Sequence, residues 1–472
     1  MEKQTNSGYL TKLTLVATLG GLLFGYDTAV ISGTVGALES FFILPFNLGE
    51  TAANSRLGLV VSSALIGCVI GGLSGGIISK GLGRKKGLIL AAILFLISAI
   101  GSAMPELFVR TIGEGDHTFI YHFVFYRIIG GIGVGLASML SPLYIAEIAP
   151  AQTRGKLVSM NQFAIIFGML VVYFVNYFIA KQGDDSWLNS TGWRWMFASE
   201  TIPALLFLLL LFIVPDTPRS LMLRSKEPKA LDVLTKINGE KHANLILKEI
   251  KGSLVSRSGK LFSFGIGVIL VGLMLSVFQQ FVGINVVLYY APEIFKTMGS
   301  GTDVALMQTI IVGAVNLAFT ILAIMTVDRF GRKPLMIIGA LGMAMAMFAL
   351  GTAFFTQSVG LFALICMLLY VACFAMSWGP VTWVLLSEIF PNKIRGKAMA
   401  VAVAAQWISN YLVSWTFPMM DKNTFLLEKF NHGFSYWIYG LMAVLATLLV
   451  WKFVPETKGK TLEEMERIWE KR

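Results

Sequence analysis

Apolar runs of about 20 residues recur from one end of this 472-residue chain to the other, and about 20 apolar residues is what an α-helix needs to cross the hydrocarbon layer of a bilayer. Backbone amides inside a membrane must find partners within the spanning segments, which leaves helices or closed barrels as folds. The runs predict spans at 10–33, 56–79, 87–104, 121–146, 157–180, 194–214, 263–290, 304–327, 334–355, 360–386, 398–418 and 432–454. Only 14% of residues are charged and 56% are hydrophobic, against roughly 25% charged in a soluble domain. The first run follows a short polar start and has no basic leader with a small-residue cleavage site, so it reads as a retained helix. The expectation is an all-α integral membrane protein with twelve transmembrane helices in the lipid bilayer.

The net charge of +11 could suggest a nucleic-acid partner. Its distribution argues against one. All but eight of the 38 Lys and Arg fall at the two termini, in the loops that share their side, or at span ends facing them. The exceptions are Arg56, Arg110, Arg127, Lys181, Arg194, Lys296, Lys422 and Lys429. Such alternation is the positive-inside pattern, which places both termini in the cytoplasm and makes the number of spans even. A nucleic-acid face has no reason to alternate. Cys68, Cys366 and Cys373 lie in apolar runs without metal or redox-motif spacing and read as small hydrophobes, so no metal or other cofactor is expected.

An internal repeat divides the chain. Glu147-Ile148-Ala149-Pro150, followed by Arg154-Gly155-Lys156, returns 241 residues later as Glu388-Ile389-Phe390-Pro391 with Arg395-Gly396-Lys397. Gly83-Arg84-Lys85 returns as Gly331-Arg332-Lys333, and Pro215-Asp216-Thr217 as Pro455-Glu456-Thr457. One near-constant period means a duplicated six-span unit. We expect a six-helix half at 1–214, a cytoplasmic linker with helical content at 215–262, a second half at 263–455 and a cytoplasmic helix at 456–472. Parallel halves of this kind hold a ligand at their interface near the bilayer midplane and rock about it. Arg84, Glu147, Arg154, Arg332, Glu388 and Arg395 can form charge-assisted bonds that gate the cytoplasmic end. Alternatively they are topology signals only, since exposed ion pairs contribute about 0–1 kcal/mol.

Polar groups inside the spans are the chemistry-bearing residues. Gln162, Gln279, Gln280, Asn285, Asn316 and Gln406 each lie in an apolar run, where an unpaired amide costs a few kcal/mol. An amide offers both a donor and an acceptor, as adjacent hydroxyls require. Trp383 and Trp407 add flat apolar faces with an indole donor, and Trp383 follows a helix-breaking Gly379-Pro380. Amides can also simply join helices, and tryptophans can sit in an interfacial belt. Asp27, Arg127 and Glu200 are charged groups within spans, where an ionisable residue is a functional hypothesis by default. Asp27 opposite Arg127 satisfies both charges, and a proton on Asp27 would free Arg127 to shift toward Glu200. Enzyme signatures are absent: there is no His-Glu-x-x-His, Gly-x-Ser-x-Gly or Walker loop, and the four histidines are scattered.

Gly83-Arg84-Lys85, Asp328-Arg329-Phe330-Gly331-Arg332-Lys333, the two Glu…Arg-Gly repeats, Pro215-Asp216-Thr217-Pro218-Arg219, Gln279-Gln280-Phe281-Val282-Gly283-Ile284-Asn285 and Pro455-Glu456-Thr457-Lys458-Gly459 stand in the order found in a known family. The chain resembles, over nearly its whole length, the sugar porters of the major facilitator superfamily, nearest to the bacterial proton-coupled xylose branch. The resemblance implies the major facilitator fold and proton-coupled uptake of a monosaccharide, D-xylose above others, by a monomer in the bacterial inner membrane. It implies sugar-binding roles for Gln162, Gln279, Gln280, Asn285, Trp383 and Gln406, lining roles for Phe24, Tyr289, Asn316 and Trp407, and a proton on Asp27. A proton-independent hexose facilitator and a non-transporting sugar sensor are the alternatives. Three departures from the family pattern stand out. Lys80 and Gly81 occupy Asp and Arg positions of the first loop motif, which implies a weaker first lock. Asp216, Thr217 and Ser220 occupy the Glu, Ser and Trp positions of the motif after the sixth span. Met169 stands where the xylose branch implies Gln and hexose facilitators an aliphatic residue, which leaves pentose against hexose open on this position.

Overall fold

In a computed structural model the chain is described at residues 6–150, 153–253, 261–391 and 393–458 and at 464, 465, 467 and 469, with the side chains of 241, 253 and 328 outside the description. Regular structure among these residues is helical throughout. Eleven segments are long and apolar enough to cross a membrane: α1 Ser7–Gly33, α2 Glu50–Gly81, α3 Arg84–Ala103, α4 His117–Ile148, α5 Arg154–Ala180, α6 Asp185–Ile213, α7 Ile266–Tyr289, α8 Thr302–Val327, α9 Arg332–Phe355, α10 Leu361–Ile389 and α12 Gly433–Phe453. The expected twelfth, α11, is a 27-residue helix over Arg395–Asp421. It is as long as its neighbours but carries Gln406, Ser409, Asn410 and Ser414, which lower its hydropathy.

Helices α1–α6 and α7–α12 form the two bundles. The stretch between them folds into short helices over Pro218–Leu223, Glu227–Asn238 and Glu240–Ser253. Ala230, Val233, Leu234 and Ile237 repeat at helical spacing and are buried, so the second of these has one apolar face. The Ile237 carbonyl accepts the Asn6 backbone N–H at 2.9 Å, which ties the linker to the start of α1. Of the helix expected at 456–472, residues 459–463, 466, 468 and 470–472 lie outside the described residues. Trp469 donates its indole N–H to the Ile389 carbonyl at 3.0 Å.

The sequence repeat becomes a geometric repeat at the end that carries the termini. In the first half Arg84 pairs with Glu147 at 2.8 Å, and Thr217 Oγ1 donates to the same carboxylate at 2.5 Å. Asp216 accepts the backbone N–H groups of Arg84 and Lys85, each at 3.2 Å. In the second half Arg332 pairs with Glu388 at 2.9 Å, Thr457 Oγ1 donates to Glu388 at 2.5 Å, and Glu456 accepts the N–H groups of Arg332 and Lys333 at 3.2 and 3.0 Å. Each acid caps the first turn of α3 or α9, where free N–H groups and the helix dipole favour negative charge. The residue before each helix must be glycine. Gly83 and Gly331 sit at φ +92° and +88°, and a Cβ on them would lie 2.3 Å from Asp216 Oδ2 and 2.9 Å from Glu456 Oε2.

Bonds that join the two halves gather at the opposite end. Lys422 reaches Glu39 at 2.5 Å, Trp415 Nε1 donates to the Ser55 carbonyl at 3.1 Å, and Asn54 Nδ2 donates to the Lys422 carbonyl at 3.4 Å. Glu50 accepts the Thr424 N–H at 2.8 Å and its hydroxyl, and Thr302 donates to Asp185 at 3.0 Å. The halves are therefore bonded together away from the termini.

Candidate functional site

Helix α7 is interrupted at Gly283, and the interruption places amides on both sides of a bend. Gln279 and Gln280 occupy the last turn before it, and Asn285 the first turn after. Helix α10 is interrupted at Ser377, between Leu361–Met376 and Trp378–Ile389. The second segment begins beside α7. Gln279 Nε2 takes the Trp378 carbonyl at 2.9 Å and approaches the Gly379 carbonyl at 3.3 Å. Gln279 Oε1 then accepts Gln280 Nε2 at 3.3 Å and Gln406 Nε2 at 2.5 Å, and Asn285 Nδ2 donates to Gln280 Oε1 at 2.5 Å. Four of the six amides singled out in the sequence thus form one chain across α7 and α11. Gln406 Oε1 is buried without a partner, an acceptor whose burial costs a few kcal/mol until a donor meets it.

An aromatic wall borders these amides. Phe24 of α1 and Trp407 of α11 approach to 5.5 Å between ring centroids across the two halves. Tyr289 is buried, with its hydroxyl 3.5 Å from Asn410 Nδ2. Trp383 is half-buried on the second segment of α10. Gln162 is half-buried on α5 and Asn316 buried on α8, and neither joins the amide chain. The carbonyl of Leu288 accepts the Tyr173 hydroxyl at 3.1 Å and so links α5 to α7. Asn410 is a polar residue that the sequence reading passed over, although it lies four residues after Gln406, on the same helical face.

The intramembrane charges meet as expected from their positions. Arg127 Nη1 donates to Asp27 Oδ1 at 2.7 Å and Nη2 to the Asp27 carbonyl at 3.0 Å. Both side chains are essentially inaccessible, at 1% and 0% exposure. Phe197 covers the guanidinium at 5.3 Å. Glu200 is wholly buried with both carboxyl oxygens unpartnered, and its carboxyl lies against that of Asp27. Two carboxyls with one guanidinium leave a buried charge of −1 unless one proton is held. Tyr26 and Ser199 meet at 2.7 Å, and since Ser199 donates to the Met196 carbonyl at 2.6 Å, Tyr26 is the donor. This bond keeps the α1 and α6 segments that bear Asp27 and Glu200 in register. Removing one partner of such a buried pair costs about 3–5 kcal/mol, so protonating Asp27 is a large perturbation of this helix contact.

Of the six gating candidates, Arg84 with Glu147 and Arg332 with Glu388 form pairs within the halves. Arg154 donates to the Ala149 carbonyl at 3.5 Å and Arg395 to the Phe390 carbonyl at 3.3 Å. These two arginines make no acid contact among the described residues. Where Lys80 and Gly81 depart from the family pattern, Arg224 of the linker bonds to Asp216 and to the Leu82 carbonyl at 2.7 Å. Glu456, beyond the last span, is pushed up by burial. The N–H donors of Lys458, Lys333, Arg332 and Thr457 outweigh that and hold it below the usual carboxylate range.

A duplicated helical bundle with a buried acid in its first half, an amide chain in its second and an aromatic contact across them can be compared with known proteins. The profile of the sugar (and other) transporter family matches residues 13–469. The chain belongs to that family. It is 66% identical to the D-xylose-proton symporter of Escherichia coli (strain K12), over 100% of this chain and 98% of that one. It is 44% identical to the glucose facilitated diffusion protein of Zymomonas mobilis, over 99% of each. The inward-open structure of the xylose transporter from E. coli superposes with a TM-score of 0.89 at 64% identity, over 98% of this chain and 100% of that one.

Proposed function

We propose that this protein takes up D-xylose together with a proton by alternating access, in a bacterial inner membrane with both termini in the cytoplasm, and works as a monomer. The observation that carries the reading is the buried Asp27–Arg127 pair, beside the unpartnered Glu200. A facilitator that moves sugar alone needs no buried acid there, and the 66% identity to a D-xylose-proton symporter points the same way.

Sugar binds between Gln279, Gln280, Asn285 and Gln406 on one side and Gln162 on the other, with its C–H face on Phe24 and Trp407, and with Trp383, Tyr289 and Asn316 as lining. In the cycle, a proton from outside neutralises Asp27 and releases Arg127 toward Glu200. The halves then rock and the bonds at Lys422, Trp415 and Glu50 close the outer end. Loss of the proton to the cytoplasm restores the Asp27–Arg127 pair and resets the carrier. Arg84–Glu147 and Arg332–Glu388 brace each half during the rocking, while Arg154 and Arg395 find acid partners when the inner end closes.

Adding xylose, glucose or arabinose to de-energised right-side-out vesicles tests this. Xylose should alkalinise the medium, and the other two should do so less. Uptake without alkalinisation by any of the three would make the protein a facilitator, and no uptake of any of them would leave it a sensor.

A further inference from the structure

Helix α3 carries a buried hydroxyl whose surroundings set it apart. Serines and threonines in these apolar helices ordinarily bond a carbonyl three or four residues back, as Ser62 does to Gly58 at 2.7 Å, Ser63 to Val60 at 3.0 Å and Thr28 to Phe24 at 2.8 Å. Ser98 is wholly buried, and its Oγ has no hydrogen-bond partner of any kind in this structure. Ser102, Ser141 and Ser276 share that lack, but the space beside Ser98 opens on a carboxylate. A Cβ on Gly130 of α4 would lie 2.3 Å from Ser98 Oγ and 3.2 Å from Asp27 Oδ1. The missing side chain of Gly130 therefore leaves a recess that the Ser98 hydroxyl and the Asp27 carboxylate share. By contrast, Ser141 faces Gly20 and the Phe207 ring.

Given that Asp27 takes the transported proton, as proposed above, we infer that Ser98 is a positioning residue of the proton site, whose hydroxyl serves Asp27 in both of its charge states. A hydroxyl rotates and is both donor and acceptor. A small turn into the shared recess lets it donate to the carboxylate alongside Arg127 Nη1, a bond that is not made in this structure. Once Asp27 carries the proton and Arg127 withdraws, it accepts the acid O–H, which would otherwise lie unpaired in an apolar helix contact. Other titratable or charged groups that face Asp27 are Arg127 on α4, Glu200 on α6, Cys68 on α2 and Tyr289 on α7. Helix α5 contributes neutral amides, with Asn176 donating to the Val30 carbonyl at 3.1 Å. Ser98 is thus the neutral hydroxyl that shares the recess with this carboxylate from α3.

The two bonds differ in strength, which fixes the sign of the effect. A bond to an ionised acceptor is roughly twice as strong as a neutral one, so the hydroxyl favours the carboxylate and its loss favours the acid. The pH midpoint of xylose-driven alkalinisation should rise by about one unit in Ser98→Ala. Sugar exchange, which needs no net proton movement, should stay within about twofold of the parent. Ser98→Cys keeps the shape with a weak donor and should shift in the same direction. An unchanged midpoint in both variants, or a shift in the alanine variant alone, would assign Ser98 to packing and overturn the role. If the alanine variant loses exchange as well, the cysteine variant decides alone. Asp27→Asn separates the layers: coupling that survives it defeats the underlying reading, whereas lost coupling there with unshifted Ser98 variants defeats only the role of Ser98.

Discussion

The two ends of the molecule are held together by different kinds of bond. At the end bearing the termini, Arg84–Glu147–Thr217 and Arg332–Glu388–Thr457 are short bonds that close within each half. At the far end, Lys422–Glu39, Trp415–Ser55 and Glu50–Thr424 run from one half to the other. A carrier that alternates needs rigid halves and a breakable seam. Bonds within a half supply rigidity in every state, whereas bonds between halves exist only while that end is shut. The difference separates residues that should alter stability from residues that should alter the balance of conformations.

The largest effect should come from wedging the seam where backbone meets backbone. A Cβ on Gly58 would lie 2.2 Å from the Trp415 carbonyl oxygen, a contact that no side-chain rotation relieves. Gly58→Val should hold the far end open, with overpacking of about 1–3 kcal/mol lowering uptake and exchange by roughly 5- to 150-fold. Xylose binding from outside, read by calorimetry, should persist. The braces should act on stability rather than on transport. Glu147→Gln leaves Arg84 buried beside a neutral amide, and its thermal midpoint in detergent should fall more than that of Glu388→Gln. The first pair is 7% exposed on each side, while the second is 11% and 27% exposed. About 2–3 kcal/mol against about 1 is expected once the buried-pair cost is scaled for exposure.

Smaller still is the seam ion pair. Lys422 and Glu39 are 35% and 24% exposed, so after screening Lys422→Ala should move the balance of open and closed far ends by at most about 1 kcal/mol. Spin-label distances across that end would read it, and the shift should shrink in high salt. The mildest test is acid. Glu456 is held below the usual carboxylate range on balance by the N–H groups around it, against the upward push of burial. Its contribution to stability is therefore present above that range and lost as pH falls through its lowered folded value. Thermal midpoints of the parent should drop on that acid limb more steeply than those of Glu456→Gln.

Much of this was legible in the residues themselves. Charged Asp27, Arg127 and Glu200 inside apolar runs announced a cluster, because such charges are too costly to leave unpaired. The repeat of Gly-Arg-Lys and Glu-x-x-Pro marked the residues that pair in both halves, although they were expected as gates. Hydropathy on its own recognises α11 poorly, because the amides that make it functional lower its apolar content. The seam was illegible for a plainer reason. Glu39 and Lys422 are ordinary loop charges 383 residues apart, and nothing local marks them as partners. Arg224 likewise gave no sign that it would reach back to Asp216 and Leu82, where Lys80 and Gly81 depart from the family pattern. Ser98 looked like one more small residue in a span, since an orphaned hydroxyl shows only when its neighbours are placed. Met169 is buried on α5, and its bearing on sugar preference remains for Met169→Gln, which should favour xylose over glucose if that position reads the sugar.

The account turns on the proton at Asp27. Vesicles bearing Asp27→Asn, compared with the parent under an imposed pH gradient, test it most directly. Accumulation of xylose against its gradient should vanish while xylose exchange continues, because the neutral amide mimics a carrier that never releases its proton. Accumulation that persists in Asp27→Asn would contradict the account.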